Sequence, residues 1–238
     1  MNYLDLVNRT KLESGRSGGN LATVVGAVGD DLRICNWVST AWEKIQRRTE
    51  HWRWMRKRVL MSITAARMDH DPALIAQMLV QPGNTLALTD FRGFRNVSDD
   101  YTVSALLPAV PANEWRLTWL PYDVFRDRFI VGTHASASPT FWAVSPDNLL
   151  LLGPTPDAIH HVRFDYRTKV LPLVLDADIP GMPDDYHMVI AWEALKNLAA
   201  FDAAPEVYSR ARDECDELYD DLWTDQGPMM TIGARPLA

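Results

Sequence analysis

Cysteine is scarce in this chain: its 238 residues include two, Cys35 and Cys215, too few for a disulfide framework or a four-ligand zinc site. Long apolar runs are missing too. Stretches such as Leu149 to Leu152 fall far short of the roughly 18 residues that cross a bilayer, so no membrane partner is expected. The first residues form no basic, apolar, small-residue leader, and a protein kept in a cytoplasm is expected. An excess of positive charge is also lacking. The 24 Lys and Arg face 31 Asp and Glu, for a net charge of −7, unpromising for sequence-independent DNA binding. Residues Gly15 to Gly29 hold five glycines in fifteen positions, but no Gly-Lys-Ser/Thr follows, which excludes a P-loop.

What is present reads as a globular protein. Apolar residues make up 47% and charged residues 23%, enough for a substantial core and too apolar for disorder. The length suits one compact unit carrying an elaboration. Nine tryptophans are unusual, and Trp is enriched in interfaces as well as cores.

Helical patterns sit at the two ends. Asn2 to Gly15 reads as a short amphipathic helix with Asn2 as N-cap and Gly15 as stop. From Asp30 to about Glu50, Ile34, Cys35, Val38, Ala41, Trp42 and Ile45 recur at three-and-four spacing, with acids first and bases last. Pro183 to Phe201 is apolar over much of its circumference through Ile190, Ala191, Ala194, Leu195 and Leu198, which demands burial on more than one side. Pro205 starts a last helix with a narrow stripe of Tyr208, Ala211, Cys215, Leu218 and Leu222. Between these ends, Arg58–Ala65, Thr85–Phe91, Tyr101–Leu107, Trp115–Leu120, Thr140–Val144, Asn148–Leu152 and Ile159–Arg167 read as strands. Ser145-Pro-Asp-Asn148 suits a hairpin turn, and Pro121–Phe129 a single short helix. The expected fold class is α+β. Residues 1–58 and 179–225 would form a helical body, 59–178 a β-rich insertion and 226–238 a tail.

Catalytic chemistry is hard to find. His70 lies between Asp69 and Asp71 without a second His-Asp cluster, and an exposed turn is expected there. His160 and His161, adjacent in a strand, point to opposite faces and cannot chelate one ion together. His187 beside Asp184 and Asp185 suits a cap or ion pair, Cys35 and Cys215 suit buried thiols, and Asn96-Val-Ser98 is a chance glycosylation match. No catalytic residue, cofactor or metal is expected.

Charge distribution is more telling. Residues 1–60 carry eleven Lys and Arg against six acids, and residues 200–238 carry three against nine. Within the first part Arg53, Arg56, Lys57 and Arg58 interleave with Trp52 and Trp54. That cluster fits nucleic acid, with bases on indoles and cations on phosphates, a protein-docking edge, or core tryptophans with a solvated basic rim. Asp213, Asp216, Glu217 and Asp220 read as a solvated face, a subunit contact or a channel lining.

The order of features adds a further signal. A Tyr-Leu-Asp-Leu-Val helix, a Gly-rich loop, Trp37-Val-Ser-Thr-Ala-Trp42-Glu-Lys-Ile-Gln46, Trp52-Arg-Trp54, Ser145-Pro-Asp-Asn-Leu-Leu-Leu-Leu-Gly-Pro154, Phe164-Asp-Tyr-Arg167 and Ile179-Pro-Gly-Met-Pro-Asp-Asp-Tyr-His-Met188 before two closing helices resemble the head-to-tail adaptor proteins of tailed bacteriophages. The resemblance implies a non-enzymatic virion protein assembled in the host cytoplasm. It implies a homo-oligomeric ring of about twelve copies joining the portal protein to a tail tube, nozzle or tail-fibre protein, with genomic double-stranded DNA passing through without specific binding. Trp52, Arg53, Trp54, Arg56, Lys57 and Arg58 are then candidates for a partner interface, and Asp213, Asp216, Glu217 and Asp220 for the lumen or a subunit contact. The alternative is a DNA-binding or genome-packaging accessory using Arg47 to Arg58.

Overall fold

The computed structural model describes residues 1–16, 19–49, 51–72, 90–94, 103–108 and 110–227. In chain order its elements are α1 (Tyr3–Glu13), α2 (Gly29–Arg48), β1 (Arg56–Ile63), β2 (Asp69–His70), β3 (Phe91–Phe94), β4 (Val103–Leu107), β5 (Val110–Arg116), β6 (Thr118–Trp119), α3 (Tyr122–Phe125), β7 (Phe141–Val144), β8 (Leu150–Gly153), β9 (His160–Thr168), α4 (Met188–Phe201) and α5 (Pro205–Gln226). They divide into two compact units, a helical one of Met1–Met55 with the chain from Val170 onward, and a β one of Arg56–Lys169. The fold is α+β.

In the helical unit, α1 begins with a capping box. The Asn2 side chain accepts from the Asp5 amide at 2.8 Å while the Asp5 carboxylate accepts from the Asn2 amide at 3.1 Å, so two orphan donors of the first turn are satisfied reciprocally. α2 buries Ile34, Cys35, Val38, Ala41, Trp42 and Ile45. α4 packs against α1, α2 and α5, which is why Val189 to Leu195 are buried on every side of it. α5 presents a narrower stripe of Ala211, Cys215, Tyr219 and Leu222, and Tyr208 is exposed rather than part of it.

The β unit holds two sheets. In the first, β9 pairs antiparallel with β1, β3 and β4, and β5 adds beyond β4; in the second the order is β2, β8, β7, β6. Their facing sides share one core, in which Met61, Phe94, Val162 and Phe164 meet Leu117, Trp142, Leu150 and Leu152. The other side of the second sheet is covered by Phe125 and Phe129 against Ala143 and Leu151. Alternation along the strands sets these faces.

Several expectations are corrected. The helix over Pro121–Phe129 is α3 followed by a π-helical turn, Arg126–Ile130. The run Trp115–Leu120 breaks at the buried Leu117 into β5 and β6, which belong to different sheets. His70 is not in an exposed turn: it is 1% exposed and paired with Leu150 in β2. Residues 170–178, expected in the β insertion, belong to the helical unit because Leu173 enters its core and the Gln46 side chain bonds both backbone polar groups of Leu171. Most of the expected Thr85–Phe91 strand, the start of Tyr101–Leu107, Asn96-Val-Ser98 and residues 228–238 lie outside the described residues.

Candidate functional site

Strand β9 builds a highly charged surface. Its even-numbered residues Val162, Phe164 and Tyr166 enter the core, so His161, Arg163, Asp165 and Arg167 project from the opposite face of the sheet. The register places Arg58 opposite Asp165 and Arg56 opposite Arg167 on β1, and Ser104 of β4 between Arg163 and Arg116 of β5. Among the described residues this face therefore carries five arginines, 56, 58, 116, 163 and 167, against Asp165 and Glu114.

The face is organised by its two carboxylates. Asp165 is 5% exposed and accepts from Arg56 and from Arg58 Nε, the latter at 2.9 Å. Burial alone would raise its pKa, but the hydrogen bonds from Arg58 and Arg56 outweigh that and hold the carboxyl below its ordinary value. Glu114 accepts from Arg163 Nη1 at 2.5 Å and from the Ser104 hydroxyl. Between these pairs lies a hollow of about 360 Å³ lined by Arg58, Ser104, Glu114, Trp115, Arg116, Arg163 and Asp165. The Arg56, Arg58 and Arg163 guanidinium groups remain partly exposed although each is held by a carboxylate, and a fixed, forked donor is suited to carboxylate or phosphate recognition.

The structure separates the basic and aromatic residues that adjoin in sequence. Trp52, Arg53 and Trp54 fall in the helical unit, and Arg56, Lys57 and Arg58 in the β unit. Trp52 is 1% exposed, and its Nε1 donates to the Ile45 carbonyl at 2.8 Å. Arg53 donates to the Asp225 carbonyl at 3.0 Å, and Trp54 is half-buried against Trp52. Lys57 bonds Asp90 at 2.7 Å. Sequence reasoning found Arg56 and Arg58 but missed Arg163 and Asp165, whose signal was the period-two pattern of β9, and Glu114 and Arg116, which alternate in the same way on β5.

On α5, Asp213, Asp216, Glu217 and Asp220 are all exposed and lie at spacings of three, four and seven, on one side of the helix. Asp213 pairs with Arg212 at 3.1 Å. Asp216, Glu217 and Asp220 make no ion pair among the described residues. A different acid, Glu193, is buried within the helical unit and receives Lys44 and Lys196. Burial pushes its pKa up, yet the two ammonium groups prevail and it stays below the ordinary glutamate value.

The remaining chemistry-bearing residues are internal. Cys35 and Cys215 are buried, and burial raises both thiols, Cys215 to about 11. His160 bonds Asp157 at 3.1 Å and stands edge-on to Trp115, while His161 faces the other way. His187, fully buried, sits at the N-terminus of α4 with Nε2 3.1 Å from the Met182 carbonyl. Among the described residues no three His, Cys, Asp or Glu side chains gather in a way that could hold a metal, and no helix is long and apolar enough to cross a membrane.

No curated protein matches the chain. Residues 1–233 match the family model for the SU10 adaptor protein, and the match spans both the discontinuous helical unit and the β unit inserted in it. On that coverage the chain belongs to the SU10 adaptor protein family, a bacteriophage head-to-tail adaptor and structural protein.

Proposed function

We propose that this adaptor is a virion protein that works as one copy of a closed ring, joining the portal to the tail and surrounding the channel through which DNA leaves. One observation carries the reading: each copy exposes two unlike charged surfaces, the arginine-bearing face of the first β sheet and the acidic side of α5. A ring that closes by rotation needs a heterologous contact, and that requires two dissimilar patches on every protomer. The net charge of −7 supports passage of DNA without retention, since like charge repels phosphate. Arg53, Trp54, Arg56, Lys57 and Arg58 are proposed as partner-facing residues, while the burial of Trp52 gives it the role of supporting Trp54, on which it stacks.

The packaging-accessory reading has weaker support. Arg47 bonds Glu43, Arg48 stacks 3.8 Å from the Tyr219 ring centroid, and Arg53, Arg56, Lys57 and Arg58 each hold an acceptor within their own unit. Their field is partly neutralised where a DNA backbone would need it. Electron microscopy of the virion vertex at side-chain resolution tests the proposal. A closed ring between portal and tail is expected; isolated copies, or absence of the protein from particles, would overturn it.

A further inference from the structure

The exposed face of the first sheet is a socket of defined spacing. Adjacent strands lie about 4.8 Å apart, and Arg58, Arg163 and Arg116 stand on β1, β9 and β5, with Ser104 of β4 between the last two. Arg163, Ser104 and Arg116 thus stand in line across β9, β4 and β5, with Arg58 two residues along beside Asp165, and Arg58 and Arg163 are each held by a carboxylate of the same sheet. Both still face solvent: the Arg58 and Arg163 side chains are 67% and 40% exposed although both are ion-paired.

The α5 helix offers the matching surface. Just under two turns advance about 10.5 Å, so the carboxylates of Asp213 and Asp220 stand nearly as far apart as Arg163 and Arg116, which lie two strand spacings, about 9.6 Å, from each other. Asp216, Glu217 and Asp220 have no cation of their own among the described residues. A helix laid across the strands would bring these carboxylates onto the arginines, whose guanidinium forks donate two parallel hydrogen bonds to a carboxylate. A DNA backbone fits the same face less well. Asp165 and Glu114 interrupt the positive field that a continuous phosphate track requires, and the chain as a whole is anionic.

We infer that Arg58, Arg163 and Arg116 together seat the acidic side of α5 from a second copy of this chain. The inference rests on the ring reading and names the contact that closes it. The ring then grows by one repeated socket-and-helix joint.

Charge reversal in the full-length protein tests it, with assembly followed by sedimentation velocity and native mass spectrometry, alone and on portal rings. Arg163→Glu with Arg116→Glu leaves a copy acidic on both surfaces, and Asp216→Lys with Asp220→Lys leaves one basic on both. Each variant is expected to associate with itself more weakly by roughly tenfold or more. Mixing the two makes every joint between unlike copies a matched one, the native socket on the native helix and the Glu socket on the Lys helix, so assembly should return with the two variants alternating. All four substitutions in one chain should restore assembly. Circular dichroism confirms that each variant is folded; Arg163→Gln with Arg116→Gln, a milder change, should give the same weakening to a smaller degree.

The outcomes separate the two ideas. If the wild-type protein multimerises and the reversed variants do so equally well, the socket is wrong while the ring stands. If wild-type protein forms no multimer alone or on portal rings, the ring reading fails and takes the socket with it. Salt-sensitive duplex DNA binding, abolished by the arginine reversals while self-association persists, would reassign this face to phosphate and overturn the inference.

Discussion

Trp52 and Trp54 stack with ring centroids 4.4 Å apart and planes 20° from parallel. Trp52 also stands edge-on to Trp223, with centroids 5.5 Å apart, and tilts against Tyr219. The Trp-Arg-Trp signature is thus an aromatic anchor for the end of α5. Arg53, between Trp52 and Trp54 in sequence, donates to the Asp225 carbonyl on the same helix.

Trp52→Ala should therefore act on stability. Removing a fully buried Trp from such a cluster costs about 3–5 kcal/mol, and the Ile45 carbonyl loses its indole donor. Denaturant unfolding of the full chain is expected to show a lowered midpoint for Trp52→Ala and a much smaller change for the half-buried Trp54→Ala. Equal losses at the two positions would contradict this division. Portal attachment is expected to be lost in folded Trp54→Ala or Arg56→Glu protein, so the stability measurement has to come first.

The legibility of the fold follows the range of the interactions that create it. Asn2 with Asp5 and the spacing of Ile34, Cys35, Val38 and Trp42 announce helices because their partners lie within a turn or two. The hairpin at Ser145 to Asn148 is equally local: the Asn148 amide bonds the Ser145 carbonyl at 2.9 Å. The charged sheet face was not legible. Arg58 and Asp165 are 107 residues apart in the chain, and only the register of β1 on β9 makes them neighbours. His70 was misread for the same reason, since two strand residues between turn signals carry no periodicity to set against the loop chemistry of Asp69 and Asp71.

Gly153 has no room for a side chain. A Cβ there would lie 2.7 Å from one carbon of the Phe129 ring and 2.9 Å from Phe125, inside van der Waals contact with two rings that are themselves packed on Ala143 and Leu151. Gly153→Ala should destabilise the β unit by about 1–3 kcal/mol, the usual cost of overpacking. Trimming Phe129 to Leu in the same chain should recover part of that loss in urea unfolding, whereas strictly additive losses would place the strain elsewhere.

Glu193 is a buried charge answered by two lysines, and such pairs punish the loss of one partner more than the loss of both. Glu193→Ala leaves Lys196, whose side chain is 17% exposed, without its carboxylate, and about 3 kcal/mol of destabilisation is expected. Glu193→Leu with Lys196→Leu should be nearer to wild type than Glu193→Ala. Thermal unfolding of the three proteins decides the matter, and a double variant worse than the single one would mean that the ion pair itself, rather than its incomplete removal, governs stability here.

His70 gives the β unit a dependence on pH. Its ring is 1% exposed, with Nε2 3.0 Å from the Arg67 carbonyl, and burial lowers its pKa from 6.5 to about 4. Between these values the unfolded chain holds a proton that the folded protein excludes, so acid favours unfolding. The stabilisation is complete above about pH 6.5 and is lost as the pH falls toward 4, an effect of about 3 kcal/mol at 1.36 kcal/mol per unit of pKa. Asp165 works in the same direction but in stronger acid, because its folded pKa lies below the ordinary carboxylate value and its contribution fades only as the pH drops through that lower range. Urea midpoints measured from about pH 7 down to about pH 4.5 should thus report His70 ahead of Asp165. His70→Gln, which keeps a donor for the Arg67 carbonyl and cannot titrate, should lower stability at neutral pH and flatten the slope in this window. An unchanged slope in His70→Gln would assign the acid sensitivity to other groups.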